Sequence, residues 1–345
     1  ERQVEAERWT QLDRQLVRDA GKSGIIDLAP QPGQQPDEFH ALKVGRLRTL
    51  EIRGLAGQVG HQQWFIKAEA ESTLRELGER GDIIKRMHRA LTERGIERGS
   101  ASYVLAGESL DVPVIGRLVE RGLDDELKGT AYAVVDGVDG RTHHIRLPHL
   151  DATGDSPPGS IVELRAYEDA KGDRRVALAV RSDLDLQHQV NATGATWLDR
   201  QSIAREPVAM SDGGFGAEVR DAMRQRAEHL VGEGLAEQQG RRVIFNRNLI
   251  ETLRRREVDA VAGRLAKETG QPFKPAEGGE YVAGTYRQRL TLASGRFAMI
   301  DDGLGFQLVP WSPSLDKQLG RHVSGVARDG GGVDWDFGRK RGLGL

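Results

Sequence analysis

The fold is decided by the stretch Leu50-Glu-Ile-Arg-Gly54-Leu55-Ala56-Gly-Gln-Val-Gly60-His-Gln-Gln-Trp64-Phe65, because it returns later in the chain. The second copy reads Leu230-Val-Gly-Glu-Gly234-Leu235-Ala236-Glu-Gln-Gln-Gly240-Arg-Arg-Val243-Ile244-Phe245. One constant offset aligns the first leucine, the Gly-Leu-Ala phrase, the second glycine and the final phenylalanine of the two copies. Such regular self-similarity is the sequence signature of an internal duplication.

Each copy predicts a helix that ends at a glycine and is followed by a two-stranded hairpin. A glycine that follows a helical pattern can adopt the left-handed conformation with which helices commonly end. The second glycine suits the tight turn between two antiparallel strands. A helix followed by a β-ribbon is typical of the recognition helix and wing of a winged helix-turn-helix, although any other αββ packing unit has the same pattern. The duplication favours two winged-helix-like units, over residues 1–67 and 190–247.

Two stretches between and after these units predict β structure. The segment Gly129-Thr-Ala-Tyr132-Ala-Val-Val-Asp136-Gly137 is followed by a turn and a second strand, and Phe297-Ala-Met-Ile300-Asp-Asp-Gly303 echoes it. Short strands separated by polar, glycine-containing turns suggest small SH3- or OB-like β-barrels, over 126–185 and 279–345. Helical spacers are predicted over 68–125, where Glu79-Arg-Gly81-Asp82 suggests the end of one helix and the start of the next, and over 248–275, and a basic tail closes the chain. The predicted class is α+β, as a tandem repeat of winged-helix-like unit, spacer and small barrel.

Composition restricts the class of protein without identifying it. A length of 345 residues predicts two or more domains. The net charge of −2 does not require a nucleic-acid partner, and the excess of arginine over lysine suits phosphate contacts but also follows from a GC-rich genome. The absence of cysteine excludes disulfides and thiolate metal sites. No apolar run approaches the ~18 residues of a membrane span and no signal peptide opens the chain, so a cytoplasmic location without membrane contact is predicted.

The candidate DNA-binding residues lie on the two predicted helix–wing units and on the second spacer. Arginine and lysine on the outer face of a recognition helix or at a wing tip could contact phosphates. Acidic residues near several of these positions leave protein docking open as the alternative. The candidates are Lys43, Arg46, Arg48, Arg53, Gln62, Arg220, Arg224, Arg241, Arg242, Arg254 and Arg255.

No set of residues predicts catalysis or a bound cofactor. His143 and His144 are the best candidates for metal binding, but neighbouring residues on a strand point to opposite faces, and surface histidines are commoner. The chain lacks the usual phosphate-loop, metalloprotease and nucleophile-elbow motifs. Trp311 and Trp335 could stack unpaired bases or could close a small core. A protein that is not an enzyme, with no metal or cofactor, is therefore predicted.

Several phrases together resemble the C-terminal region, labelled a domain of unknown function, of relaxase/mobilization nucleases of the VirD type. The phrases are Gly78-Glu-Arg-Gly-Asp-Ile-Ile-Lys-Arg-Met-His-Arg89, Arg121-Gly-Leu-Asp-Asp-Glu-Leu-Lys-Gly129, Gly284-Thr-Tyr-Arg-Gln-Arg-Leu-Thr-Leu-Ala-Ser-Gly-Arg-Phe-Ala-Met-Ile300, Leu308-Val-Pro-Trp311 and Trp335-Asp-Phe-Gly-Arg-Lys-Arg-Gly342. In that family a separate N-terminal domain nicks DNA, and its motifs lie outside this chain, so no catalytic residue is carried over. The start at Glu1 without a methionine agrees with a piece of a longer protein.

The resemblance implies conjugative transfer of plasmids or integrative elements. On this basis we expect an accessory region of a relaxase that binds DNA, as duplex near the transfer origin or as displaced strand. The alternative is a protein-interaction module that docks the relaxase to the type IV secretion coupling protein or to auxiliary relaxosome proteins.

Overall fold

The computed structural model describes residues 2–30, 38–105, 110–329 and 331–337, and the chain divides into two units, Glu1–Ser100 and Ala101–Leu345. The described residues contain both helices and sheets that are antiparallel apart from the parallel pairing of β4 with β7, so the predicted α+β class is confirmed. The helices are α1 Gln11–Ala20, α2 His40–Ile52, α3 Ala70–Glu93, α4 Leu186–Val190, α5 Trp197–Ile203, α6 Gly214–Gly232 and α7 Leu249–Thr269. The strands are β1 Ile25–Asp27, β2 Ala56–Gly60, β3 Gln63–Ile66, β4 Tyr103–Leu105, β5 Val114–Asp125, β6 Thr130–Gly137, β7 Thr142–Leu147, β8 Ile161–Glu168, β9 Arg174–Ser182, β10 Ala236–Gln239, β11 Arg242–Phe245, β12 Tyr281–Leu292, β13 Gly295–Asp301, β14 Phe306–Pro310, β15 His322–Ala327 and β16 Val333–Asp336.

The smaller unit places the first copy of the repeated stretch on α2 and the hairpin β2–β3. Gly54 follows the helix with φ 71°, and the amide of Leu55 donates to the carbonyl of Leu50, which turns the chain into the hairpin. Strand β1 pairs with β3, which gives a three-stranded sheet in the order β1-β3-β2. One core of buried apolar residues from α1, β1, α2 and β3 holds these elements together: Leu12, Leu16, Ile26, Leu47 and Trp64.

The larger unit contains the second copy on α6 and the hairpin β10–β11. Gly234 has φ 70° and the amide of Leu235 donates to the carbonyl of Leu230, as in the first copy. Helix α7 follows the hairpin, as α3 follows the first one. The predicted sequence of helix, hairpin and second helix is therefore present in both halves.

The two large sheets of this unit have the same strand order. The six-stranded sheet runs β4-β7-β6-β5-β8-β9, and the five-stranded sheet runs β14-β13-β12-β15-β16, so the second repeats the order of the last five strands of the first. A glycine of each long central strand lies against the neighbouring strand at the same place. A Cβ on Gly116 would lie 2.3 Å from the carbonyl oxygen of Asp136, and one on Gly284 would lie 2.5 Å from that of Asp301. The duplication therefore extends to the sheets.

Three predictions about these regions change. Within the described residues, the first and last strands of each large sheet are not hydrogen-bonded to each other, so closed barrels are not confirmed. Strand β5 begins at Val114, inside the segment predicted as a helical spacer, and bulges after Leu118 and Leu123 interrupt its pairing with β6. Helix α3 is continuous through Gly81, where the sequence suggests a break. The predicted basic tail, 338–345, lies outside the described residues.

Candidate nucleic-acid interface

Arg46, predicted as a DNA contact on the outer face of α2, is buried inside the first helix–hairpin unit. Its Nε and Nη2 atoms donate to the two carboxylate oxygens of Asp13, at 2.8 and 2.9 Å. Its Nη1 atom donates to the carbonyls of Val4 and Ala6, at 3.0 and 2.7 Å, and Nη2 also donates to that of Arg8, at 3.0 Å. The guanidinium is saturated and has no exposed surface for a phosphate, so the prediction for Arg46 is corrected to a structural role.

Arg226 of α6 makes the same set of contacts in the second copy. Its Nε and Nη2 atoms donate to the carboxylate of Asp199, both at 2.9 Å. Its Nη1 atom donates to the carbonyls of Val190 and Ala192, at 3.2 and 2.5 Å, and Nη2 donates to that of Gly194, at 2.9 Å. The same side-chain atoms thus bind the same kinds of acceptor in both halves.

The two aspartates are themselves fixed by capping boxes. Thr10 accepts a hydrogen bond from the amide of Asp13, whose carboxylate accepts from the amide of Thr10. Thr196 and Asp199 are arranged in the same way at the start of α5. This reciprocal arrangement fixes the carboxylate before the arginine reaches it. We name the two sites the arginine clamps.

The other candidates of the first unit form no basic surface. Lys43 is also buried, with its Nζ atom 2.7 Å from a carboxylate oxygen of Asp19, which corrects its predicted position on the polar face. Arg53 pairs with Glu7 at 3.2 Å and reaches carbonyls of the N-terminal segment. Gln62 occupies the hairpin turn with φ 60° and is half-buried, whereas Arg48 is exposed.

The two arginines of α6 that were predicted to contact DNA are exposed, but each is paired with an aspartate. Arg220 donates to the carboxylate of Asp212 at 2.8 Å, and Arg224 donates to that of Asp221 at 2.8 Å. Such exposed pairs contribute little stability. The face of α6 nevertheless has no net excess of positive charge from these residues.

The hairpin tip and α7 carry further exposed arginines, in addition to Arg48 of α2. Gly240 has φ 62° and directs the chain through a tight turn, after which Arg241 and Arg242 are exposed. Arg255 is also exposed on α7, next to Arg254, which pairs with Glu251 at 2.8 Å. Within the described part of the chain, Arg241, Arg242 and Arg255 form no ion pair, so these three side chains offer uncommitted positive charge.

A cleft of about 250 Å³ lies between α7 and the five-stranded sheet, and sequence analysis did not predict it. Its walls are mixed in polarity, and the apolar part includes Val258 of α7, Phe273, and Phe297 and Leu308 of the sheet. Its charged lining residues are Arg254, Arg255, Arg328, Glu251 and Asp259. The run Arg254-Arg255-Arg256 was the sequence signal for this region, but the apolar walls come from distant segments.

Arg200 of α5 adds a positive charge near Arg254. Partial burial and then the charge of Arg254 lower the pKa of Arg200, and Asp199 opposes the shift. Like charges at short range repel, and an anion between them would relieve that repulsion.

The histidines and tryptophans that could have carried other chemistry are engaged in packing or local pairs. His143 lies 2.9 Å from a carboxylate oxygen of Asp139, and His144 stacks on Tyr132 with ring centroids 5.3 Å apart. No group of three or more metal-binding side chains occurs in the described ranges. Trp311 and Trp335 both pack on the core of the five-stranded sheet.

Comparison with known proteins gives one family. A protein-family model described as "Protein of unknown function (DUF3363)" matches residues 43–171 and 164–344. No curated protein and no solved structure matches the chain. Among the described residues, no helix has both the length and the apolar character needed to cross a membrane.

Proposed function

The chain belongs to the family described as protein of unknown function (DUF3363), and because that description assigns no activity, we propose from the geometry that it is a non-catalytic nucleic-acid-binding region. One observation carries the proposal. The exposed arginines without a carboxylate partner in the described part of the chain include Arg241 and Arg242 at the tip of a hairpin and Arg255 on the following helix. Arginines at the tip of a projecting hairpin can reach the phosphates of a nucleic acid without rearrangement of the core.

We further propose that the two helix–hairpin units are winged-helix units of unequal function. In the first, α2 directs Lys43 and Arg46 inward, so this unit has a structural role. In the second, the hairpin β10–β11 is the wing that contacts phosphate. The long bent strands β5 and β12, which contain bulges, support a distant relation of the two open sheets to small SH3- or OB-like barrels.

The nucleic acid is proposed to be DNA at a transfer origin. The support is the resemblance of five phrases of this sequence to the C-terminal region of VirD-type relaxases, in which the nicking domain is separate. On this proposal the chain holds duplex or displaced strand in the cytoplasm while another domain breaks the phosphodiester bond.

The test is a fluorescence-anisotropy titration of duplex and single-stranded DNA at about 50 and about 200 mM NaCl. Affinity should fall with salt, since phosphate binding releases counterions. Replacing Arg241 and Arg242 together by glutamine should weaken binding and lower the salt slope by about one for each phosphate that is no longer neutralised. The matched control is the double change of Arg220 and Arg224 to glutamine, which removes two arginines already paired with aspartates. Absence of binding by the unaltered protein at low salt would refute the proposal.

Docking of a protein partner is the second candidate function, and the surface of the first unit favours it. Ile52 at the end of α2 is 88 % exposed and Val59 of the hairpin is 55 % exposed, while Lys43 and Arg46 of α2 are buried. The proposed partners are the type IV secretion coupling protein or an auxiliary relaxosome protein. Replacing Ile52 and Val59 by glutamate should weaken binding of the purified partner and leave DNA binding unchanged. If the double variant and the unaltered protein bind the partner equally well, this surface is excluded as the docking site.

A further inference from the structure

We propose that the cleft between α7 and the five-stranded sheet accepts one unpaired base of a single strand, and that Arg255 binds a phosphate beside it. This inference rests on the proposed nucleic-acid-binding function, and it adds the class of ligand and the place where a base is held. Nothing in the family description assigns this cleft.

The size and lining of the cleft suit a single base. Its volume is about 250 Å³, whereas sites of drug-sized ligands and cofactors usually have about 300–1,000 Å³. The cleft therefore suits a smaller group, such as one base. Val258, Phe273 and Leu308 present carbon atoms to it. Because every base has an apolar π-face, the apolar part of this lining, which includes Phe273 and Phe297, can accept bases with little regard to sequence.

Three arginines and two carboxylates line the cleft, and two of the arginines, Arg254 and Arg328, are paired with Glu251 and Asp334. Arg255 is exposed and has no carboxylate partner within the described residues, so it is the natural first phosphate contact. Arg254 forms an ion pair with Glu251. Its charge also repels that of Arg200, which contributes to the lowered pKa of Arg200. A phosphate placed among these guanidinium groups would relieve that repulsion, and forked contacts from arginine suit phosphate oxygens.

The backbone around the cleft favours a base over an acidic peptide. An extended peptide would add to the free edge of β14, where main-chain groups supply its affinity. Part of that edge is already occupied, since the amide of Phe306 donates to the carbonyl of Pro272 at 3.0 Å and its carbonyl accepts from the amide of Lys274 at 2.8 Å. A base needs no such edge, since stacking and apolar contact hold it.

The experiment fills the cleft without changing its charge. Val258→Trp places a large side chain in the cleft, and Ala260→Trp, on the same helix but outside the cleft lining, is the matched control. Binding of a labelled oligothymidylate of about ten nucleotides is measured by anisotropy on the full chain. We expect Val258→Trp to weaken binding about tenfold, the effect of removing one stacked base, and Ala260→Trp to leave it unchanged. Circular dichroism and thermal unfolding establish that both variants fold.

A second measurement needs no variant. Irradiation of the unaltered protein with a 4-thiothymidine-substituted oligonucleotide should cross-link the base to peptides that contain Val258 or Phe273, identified by mass spectrometry. This result supports the cleft even if Val258→Trp fails to fold.

The outcomes separate this inference from the function on which it rests. If the unaltered protein binds no DNA, the proposed function is refuted, and this inference is refuted with it. If it binds DNA, while Val258→Trp binds equally well and the cross-links lie elsewhere, the base-binding cleft is refuted and the function stands. A phenylalanine-containing acidic peptide that binds the unaltered protein but not Val258→Trp, with oligonucleotide binding unchanged, would identify a peptide site instead.

Discussion

At the scale of single residues, the arginine clamps show that position on a helix does not decide whether an arginine meets a ligand. Arg46 and Arg226 lie on helices that otherwise match the pattern of a recognition helix, yet both are buried against aspartate and carbonyl oxygens. A guanidinium can be buried because its five donors are all satisfied there. Each clamp connects the start of one helix–hairpin unit to the helix that precedes its hairpin, which is α2 in the first unit and α6 in the second.

Replacing Arg46 by methionine should destabilise the first unit by about 3–5 kcal/mol, because the carboxylate of Asp13 would remain buried without its counter-charge. The measurement is chemical unfolding, with Arg48→Met on the exposed side of the same helix as the control, expected to change stability by less than about 0.5 kcal/mol. The double change Arg46→Met and Asp13→Asn should cost less than the sum of the two single changes. Equal stability of Arg46→Met and the unaltered protein would contradict the structural role.

The sequence contained a signal for the clamps that helical periodicity did not reveal. Arg46 and Arg226 stand at the same offset as the repeated leucines and glycines, and the phrase Leu-Asp-Arg-Gln occurs at both 12–15 and 198–201. An arginine and an aspartate that recur together in both copies indicate a shared structural pair. Surface position was inferred from polarity alone, and polarity cannot distinguish a solvated arginine from a saturated buried one.

At the scale of elements, α7 is joined to the five-stranded sheet by Glu257. Its two carboxylate oxygens accept from the amides of Ala293 and Ser294, both at 2.9 Å, in the turn between β12 and β13. Ser294 in turn accepts from the amide of Ala195 at 2.9 Å, just before α5. This junction ties α7 to the turn at the end of the sheet's first hairpin.

Replacing Glu257 by glutamine should destabilise the larger unit by about 1–3 kcal/mol, because the amide group of glutamine turns a donor toward one of the two backbone amides. Glu268→Gln, on the exposed last turn of α7, is the control and should leave stability nearly unchanged. Urea unfolding measures both. A loss of stability no larger for Glu257→Gln than for Glu268→Gln would show that the junction does not hold the helix.

Elements bounded by glycine were predicted well from the sequence, and elements shaped by bulges or tertiary contacts were not. Gly54 and Gly234 mark the ends of α2 and α6 because a positive φ is needed there. Strand β5 was missed because bulges between Leu118 and Glu120 break the alternation of its apolar residues. The cleft could not be predicted at all, since its walls join α7 to residues far along the chain.

At the scale of the whole molecule, the two copies of the duplication share their fold but differ in the charge of their hairpin tips. Both halves keep the clamp, the helix–hairpin order and the glycine-bounded end of the central helix. The first hairpin tip carries Gly60-His-Gln, whereas the second carries Gly240-Arg-Arg. The shared features are those that fold each half, and the feature that differs is the one that would contact phosphate. We therefore infer that the second half retained or acquired ligand binding.

The larger unit should lose stability in acid through the ion pairs that join its two sheets. Arg296 of β13 binds Asp183 beyond β9 at 2.7 Å and Asp155 at 3.0 Å, and Arg289 of β12 also binds Asp155 at 2.6 Å. Burial alone would raise the pKa of Asp155, but hydrogen bonds and charge from the two arginines outweigh it and hold the pKa below its ordinary value of 3.8.

A carboxylate with a lowered pKa stabilises the fold above its unfolded pKa, and that stability is lost as the pH falls through the folded value. Asp155→Asn should therefore be less stable than the unaltered protein at about pH 7, and the difference should shrink below about pH 4. Asp151→Asn, an exposed position in the same loop, is the control and should run parallel to the unaltered protein. Urea unfolding across this pH range measures the difference, and a gap that stays constant down to acid pH would show that the charge of Asp155 does not join the sheets.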